Sequence, residues 1–243
     1  MENIVLDGQS VTIKDFVLAA RYGAKIMLDD EAAERVDEAR QVVERCVDEN
    51  LVRYGITTGF GKFCDVVISK EDNAALQKNL IMSHAVGVGE PLPIEAARGM
   101  LVLRANALAH GNSGARLSTI QALVNMLNAG VVPVVPEKGS LGASGDLAPL
   151  SHVAIALCGM GECFYKGTRM PSSDALAAAG LTPIVLSAKE GLSLINGTQC
   201  MTSVGALAVW DAWKLVRTAD VAAALTSQAL RGITDAYDPR VHE

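Results

Sequence analysis

The chain has 243 residues, half of them hydrophobic, enough to bury a substantial core as one domain or a large part of one. Lys and Arg total 21 against 27 Asp and Glu, a net charge of −6. With no basic cluster, that balance argues against nucleic acid or an anionic membrane surface as partner. The five cysteines (Cys46, Cys64, Cys158, Cys163 and Cys200) are odd in number and lack a Cys-x-x-Cys pair. They read as buried thiols in a reducing compartment. The amino terminus has no basic start or long apolar core, so the cytoplasm is expected. The longest uncharged run, Leu117 to Pro136, is broken by Asn125, Asn128, Gly130 and Pro133, which argues against a membrane span. His84, His110, His152 and His242 show no ligand spacing, so no metal is expected, and no nucleotide either.

In chain order, residues 3–8 read as a short strand ending at Asp7-Gly8. Thr12, with Asp15 three residues on, caps a helix running to Gly23. Asp29-Asp30-Glu31 opens a second helix whose Ala33, Val36, Ala39, Val42, Val43, Cys46 and Val47 recur at helical spacing. The segment Tyr54-Gly55-Ile56-Thr57-Thr58-Gly59-Phe60-Gly61 is a glycine-rich loop. Tyr54 is either an ordinary half-buried tyrosine or a base, and a phenol with a reference pKa near ~10 needs that value lowered to act near neutrality. A third helix runs from Ser69, with acids at Glu71 and Asp72, to Ser83-His84, where a histidine can simply satisfy a helix-end carbonyl.

Pro93 opens a helix to His110-Gly111, and Gly114-Ala115-Arg116 leads into another ending at Gly130. Arg116 can bind an anion, but a salt-bridged arginine is the plainer reading. Ser151 to Cys158 reads as a short apolar helix, residues 162–169 as a small hairpin, and Ser172-Ser173 as the cap of an alanine-rich helix ending at Gly180. Asn196-Gly197 is a strong turn signal. Thr198 to Leu230 is one long helix, apolar around its circumference and therefore expected to be covered by neighbours from other subunits. The fold class is mainly α: a helical bundle with a small mixed α/β region at the N-terminus and around the central loop.

That central loop is Gly139-Ser140-Leu141-Gly142-Ala143-Ser144-Gly145-Asp146-Leu147-Ala148-Pro149-Leu150-Ser151-His152. A stretch so rich in small residues is a flexible surface turn or a place where backbone approaches backbone. Apolar flanks, Ala129–Val135 and Leu150–Cys158, point to burial. Folded sharply, the Gly145 amide nitrogen can reach the Ala143 carbonyl carbon and close a five-membered ring. Loss of water from that ring and from Ser144 leaves an exocyclic methylene, with Asp146 as a local base. Such a group is an electrophile that no ordinary side chain supplies.

The run from Gly139 to His152 resembles the signature of the aromatic amino acid ammonia-lyases. The resemblance implies that Ala143, Ser144 and Gly145 become 4-methylideneimidazol-5-one (MIO). The Tyr54 loop is similar to the family's Tyr-Gly-x-x-Thr-Gly-Phe-Gly, whose tyrosine removes the substrate's β-proton. Glu190-Gly191-Leu192-Ser193-Leu194-Ile195-Asn196-Gly197-Thr198 is similar to the segment whose asparagine, here Asn196, bonds ring and substrate. Ser83-His84 resembles the pair of the histidine ammonia-lyases, where an imidazole shares a hydrogen bond with the substrate's. Asn112 and Ala115 depart from the family's usual bulk and isoleucine. The resemblance covers the whole chain, yet family members are roughly twice as long and form homotetramers. It implies an N-terminal half, with residues 1–197 the MIO-bearing portion and 198–231 the first long bundle helix. Further tyrosine, arginine and glutamate contacts to substrate would lie in the missing half. The function implied is elimination of ammonia from L-histidine to give trans-urocanate. The alternatives are a tyrosine or phenylalanine lyase, an aminomutase, or a silent fragment that self-associates or has a partly disordered C-terminus and forms no ring.

Overall fold

The computed structural model of the chain describes residues 3–59, 61–64 and 66–243; Phe60 of the glycine-rich loop and the side chain of Glu71 lie outside it. Strand β1 (Ile4–Leu6) is shorter than the sequence suggests and pairs in parallel with β2 (Ile26–Leu28). The Asn128 side chain extends that pairing, accepting from Ile26 N at 3.0 Å and donating to Ile26 O at 2.8 Å. Between the strands, α1 (Ile13–Tyr22) starts on a capping box: Thr12 accepts from Asp15 N while Asp15 accepts from Thr12 N. Helix α2 (Asp30–Asp48) is capped by Asp29 and α3 (Lys70–His84) by Ser69, whose hydroxyl accepts from Asp72 N.

Helix α4 (Ile94–Ala109) is the axis of the core, with Met100, Leu101, Ala105 and Leu108 buried. It packs against α1, α2 and α5 (Leu117–Ala129). Strand β3 (Val88–Pro91) pairs antiparallel with β5 (Pro136–Lys138), which brings the chain after His84 beside the start of the central loop. Strands β6 (Glu162–Tyr165) and β7 (Thr168–Pro171) form the expected hairpin, joined through Lys166 and Gly167 at positive φ, and β4 (Val132–Pro133) pairs with β6.

Helix α6 spans Leu147–Leu157, four residues earlier than the Ser151 start read from sequence. Pro149 suggests a break, but it falls in the first turn, where N–H groups have no intrahelical acceptor and a proline costs nothing. Ser172 does not cap α7 (Ser172–Ala178); it occupies the helix itself, and its hydroxyl lies 3.2 Å from Cys163 Sγ. The short α8 (Glu190–Ile195) leads through Asn196 to α9 (Gln199–Ala229).

Residues up to Val204 form one compact unit and Gly205–Glu243 a second. In the second, α9 is continuous to Ala229, and Trp213, Leu215, Val221 and Leu225 along it are exposed. The cover expected for this helix is therefore not supplied among the described residues. No helix among the described residues is long and apolar enough to cross a membrane.

Candidate active site

The central loop joins β5 to α6, and only its end is buried. Gly139 to Ser144 are exposed, Leu141 at 90%, so the burial inferred from the apolar flanks holds only from Gly145 onward. The flanking segments enter the core, and the loop between them projects from it. Gly145 has φ +145°, and a Cβ there would sit 2.8 Å from the N and O of Gly197 and 3.2 Å from Asn196 Oδ1. Only glycine can bring this backbone so close to the Asn196-Gly197 turn. Asp146 fixes the contact. Its N–H donates to Gly197 O at 2.6 Å, and its carboxylate accepts from Ser140 Oγ and from Met201 N, each at 2.9 Å. The second of these bonds seats a carboxylate at the start of α9, where the helix dipole favours negative charge.

A cavity of about 270 Å³ borders the loop. Ala143, Ser144 and Gly145 line one side and Ser83, His84 and Val86 the other, so two motifs some sixty residues apart share one space. His84 Nδ1 lies 2.9 Å from Leu80 O, the helix-end contact foreseen for it. A proton on Nδ1 donating there leaves Nε2 as an acceptor. Ser83 Oγ donates to the same carbonyl at 2.8 Å. Ser83 and His84 also line a second cavity of about 440 Å³, walled by Gly59, Phe63, Val66, Ile68 and Leu76.

Tyr54 lines neither cavity. It is 60% exposed, and its hydroxyl accepts from Gly61 N at 3.3 Å. Its loop is tied down by residues the sequence reading passed over. Asn73 Nδ2 donates to Ile56 O, Gln77 Nε2 donates to Asn73 Oδ1, and Gln77 Oε1 accepts from Gly191 N at 2.9 Å. This amide chain runs from the Tyr54 loop to α8. Its signal in the sequence is two polar residues, four apart, on the same buried face of α3 as Leu80 and Ile81.

His152, the last residue of the signature, accepts from Gly87 N at Nε2 (3.1 Å) and so holds the chain after His84. Burial pushes its pKa down, favouring the neutral ring that accepts this bond. Of the two positions that depart from the family pattern, Asn112 contacts His110 at the surface and Ala115 is buried; neither lines these cavities.

Residues 11–243 match the family model for aromatic amino acid lyase. The chain belongs to the aromatic amino acid lyase family. It is 57% identical to a histidine ammonia-lyase of Alkaliphilus oremlandii, over 100% of this chain and 48% of that one. Among solved structures, histidine ammonia-lyase from Trypanosoma cruzi superposes with a TM-score of 0.92 at 42% identity, over 99% of this chain and 47% of that one. A phenylalanine aminomutase of Pantoea agglomerans gives 0.91 at 34%, over 100% and 46%. The chain thus spans about half the length of the relatives it matches.

The tripeptide suits the lyases' self-made ring. Gly145 has no Cβ to obstruct its amide nitrogen, Ala143 and Ser144 are small, and a cavity lies beside them. The chain fixes α8, which leads to Asn196, through a buried carboxylate. Glu190 accepts from Arg116 N, Nε and Nη2, from Thr119 Oγ1 and from Ser187 N, at 2.5–3.1 Å. Burial alone would raise its pKa, but these donors hold it below the usual carboxylate range. Arg116 is thereby the salt-bridged arginine expected from sequence. Asn196 itself is exposed, with Oδ1 turned toward Gly145.

Proposed function

We propose that the chain carries the electrophile-bearing part of an ammonia-lyase that converts L-histidine to trans-urocanate and ammonia. The observation that supports this best is the single cavity bounded by both Ser83-His84 and Ala143-Ser144-Gly145. Ala143, Ser144 and Gly145 form the MIO ring, with Asp146 beside it as the local base. Once formed, the ring supplies an electrophile for a substrate whose ammonium is a poor leaving group. Tyr54 takes the β-proton, the C–H electrons become the new double bond, and the C–N pair leaves with nitrogen; nothing is oxidised or reduced. Asn196 bonds ring and substrate, and the imidazole of His84, with Ser83 beside it, selects histidine's ring by a hydrogen bond. Remaining substrate contacts fall to polypeptide beyond this chain. In this reading residues 1–197 are the catalytic portion, 198–231 open the bundle, and the working enzyme is a homotetramer. All five cysteines are free, which suits a reducing compartment, and we place the enzyme in the cytoplasm.

A second reading has its own support. Tyr54 lies outside both cavities and Gly139–Ser144 are exposed, which favours a chain that is silent until further polypeptide covers this face.

Intact mass and a urocanate assay test both readings. A mass lower by two waters, restored by Ser144→Ala, together with urocanate from histidine and no product from phenylalanine or tyrosine, supports the first. Equal turnover of phenylalanine or tyrosine moves the assignment to another branch of the family. An unmodified mass and no urocanate establish the silent chain.

A further inference from the structure

Arg104 on α4 is 5% exposed and meets no carboxylate among the described residues. Its Nη2 donates to Ser193 O and its Nη1 to Gln199 Oε1 at 2.8 Å, while Nε has no partner among the described residues. Burial pulls its pKa down to about 10, so it stays charged at neutral pH. A buried, unpaired cation is costly, and a neutral side chain could satisfy either acceptor alone. Only the rigid guanidinium fork spans both, one near the end of α8 and one at the first residue of α9. The Asn196-Gly197 turn lies between these two acceptors. A Cβ on Gly197 would collide with Arg104 Nη1, and a Cβ on Gly145 would collide with Gly197 from its own position. Guanidinium, turn and tripeptide are thus stacked in direct contact, and the glycines leave no slack between them.

We propose that Arg104 is a positioning residue: its guanidinium holds the Asn196-Gly197 turn where Gly145 and Asp146 lean on it, and so sets the geometry in which Ala143-Ser144-Gly145 closes. The last clause rests on the ring chemistry proposed above; the positioning does not.

The decisive measurement is amide hydrogen exchange at Asp146, whose N–H donates to Gly197 O, in a Ser144→Ala background where no ring can form. Arg104→Lys keeps the charge and loses the fork. It is expected to speed exchange at Asp146 about tenfold or more while amides of α1 are unchanged. Exchange at Asp146 that is unaltered, or that rises only in step with α1, overturns the assignment. Should Arg104→Lys fail to fold, Gln199→Leu removes one acceptor and leaves the other; a smaller rise at Asp146 is expected, and no rise again overturns it. With Ser144 present, intact mass is the second readout, and the two-water loss is expected to fall in Arg104→Lys relative to the parent. A parent that never loses water counts against ring formation in this chain, while the exchange result still decides the role of Arg104.

Discussion

Replacing Glu190 with glutamine tests how firmly α8 is anchored beneath the candidate site. Glu190 is 0% exposed; Oε1 accepts from Arg116 N and Thr119 Oγ1, and Oε2 from Arg116 Nε and Nη2 and Ser187 N. Whichever way a glutamine amide is turned, its NH2 faces at least one N–H donor that cannot accept, Arg116 N on one side or Arg116 and Ser187 N on the other, so a bond is replaced by a donor–donor contact. Removing one partner from a buried, hydrogen-bonded pair costs about 3–5 kcal/mol. Arg116 is 36% exposed at its side chain, so its share is screened by solvent. Arg116→Ala leaves the backbone N–H, Thr119 and Ser187 in place and should cost only about 1–2 kcal/mol. Because the folded pKa of Glu190 is depressed, its contribution is present above the unfolded carboxylate pKa and lost as pH falls through the folded one. Glu190→Gln should therefore flatten the acid limb of the stability curve as well as lower its plateau. Urea unfolding followed by circular dichroism at several pH values reads both. A plateau loss under about 1 kcal/mol, or an unchanged acid limb, would refute the anchoring argument.

Two other perturbations bear on the loop and its surroundings. Gly145→Ala places a Cβ at φ +145° against Gly197 backbone and should cost about 1–3 kcal/mol in melting experiments; it should also abolish the two-water loss in intact mass. His152, its pKa lowered by burial, likewise stabilises the fold above its unfolded pKa, and this is lost as pH falls through the folded value. On acidification, exchange at the Gly87 amide should rise before global unfolding, and His152→Gln should remove that early phase.

Where a local rule and the tertiary outcome depend on the same few residues, the sequence is readable. The Thr12–Asp15 box, the Gly130 terminus of α5 and the hairpin read at 162–169 are such cases. Strands β2, β3 and β5 escaped notice because three or four residues show no alternation and their partners lie far away in the chain; β2 owes its extension to Asn128, about a hundred residues on. Pro149 misled because a proline in the first turn and a helix-breaking proline look alike without the helix start. The site motifs were legible as consecutive residues, but their meeting at one cavity is a tertiary fact. Asn73, Gln77 and Arg104 stayed hidden because each acts on backbone groups that no spacing rule connects to it.

The exposed features of the chain form a consistent pattern. Asn196, Gly197, Gly145 and Asp146 are held from below by Asp146's three hydrogen bonds and by the Arg104 fork, all of them within residues up to Val204. The other side is more open: Leu141 stands out of the loop, and Tyr54, although its loop is tied to α3 through Asn73, lines neither cavity. Elimination through a reactive electrophile needs water kept away from it, because charges and electrophiles act more strongly in a dry, low-dielectric site. Under the proposed function, this ordered floor is the fixed half of a shared site, and its cover comes from other polypeptide. If so, tightening the floor changes the geometry of ring closure, whereas adding the cover changes turnover. The two effects are separable by reading mass and urocanate on the same sample.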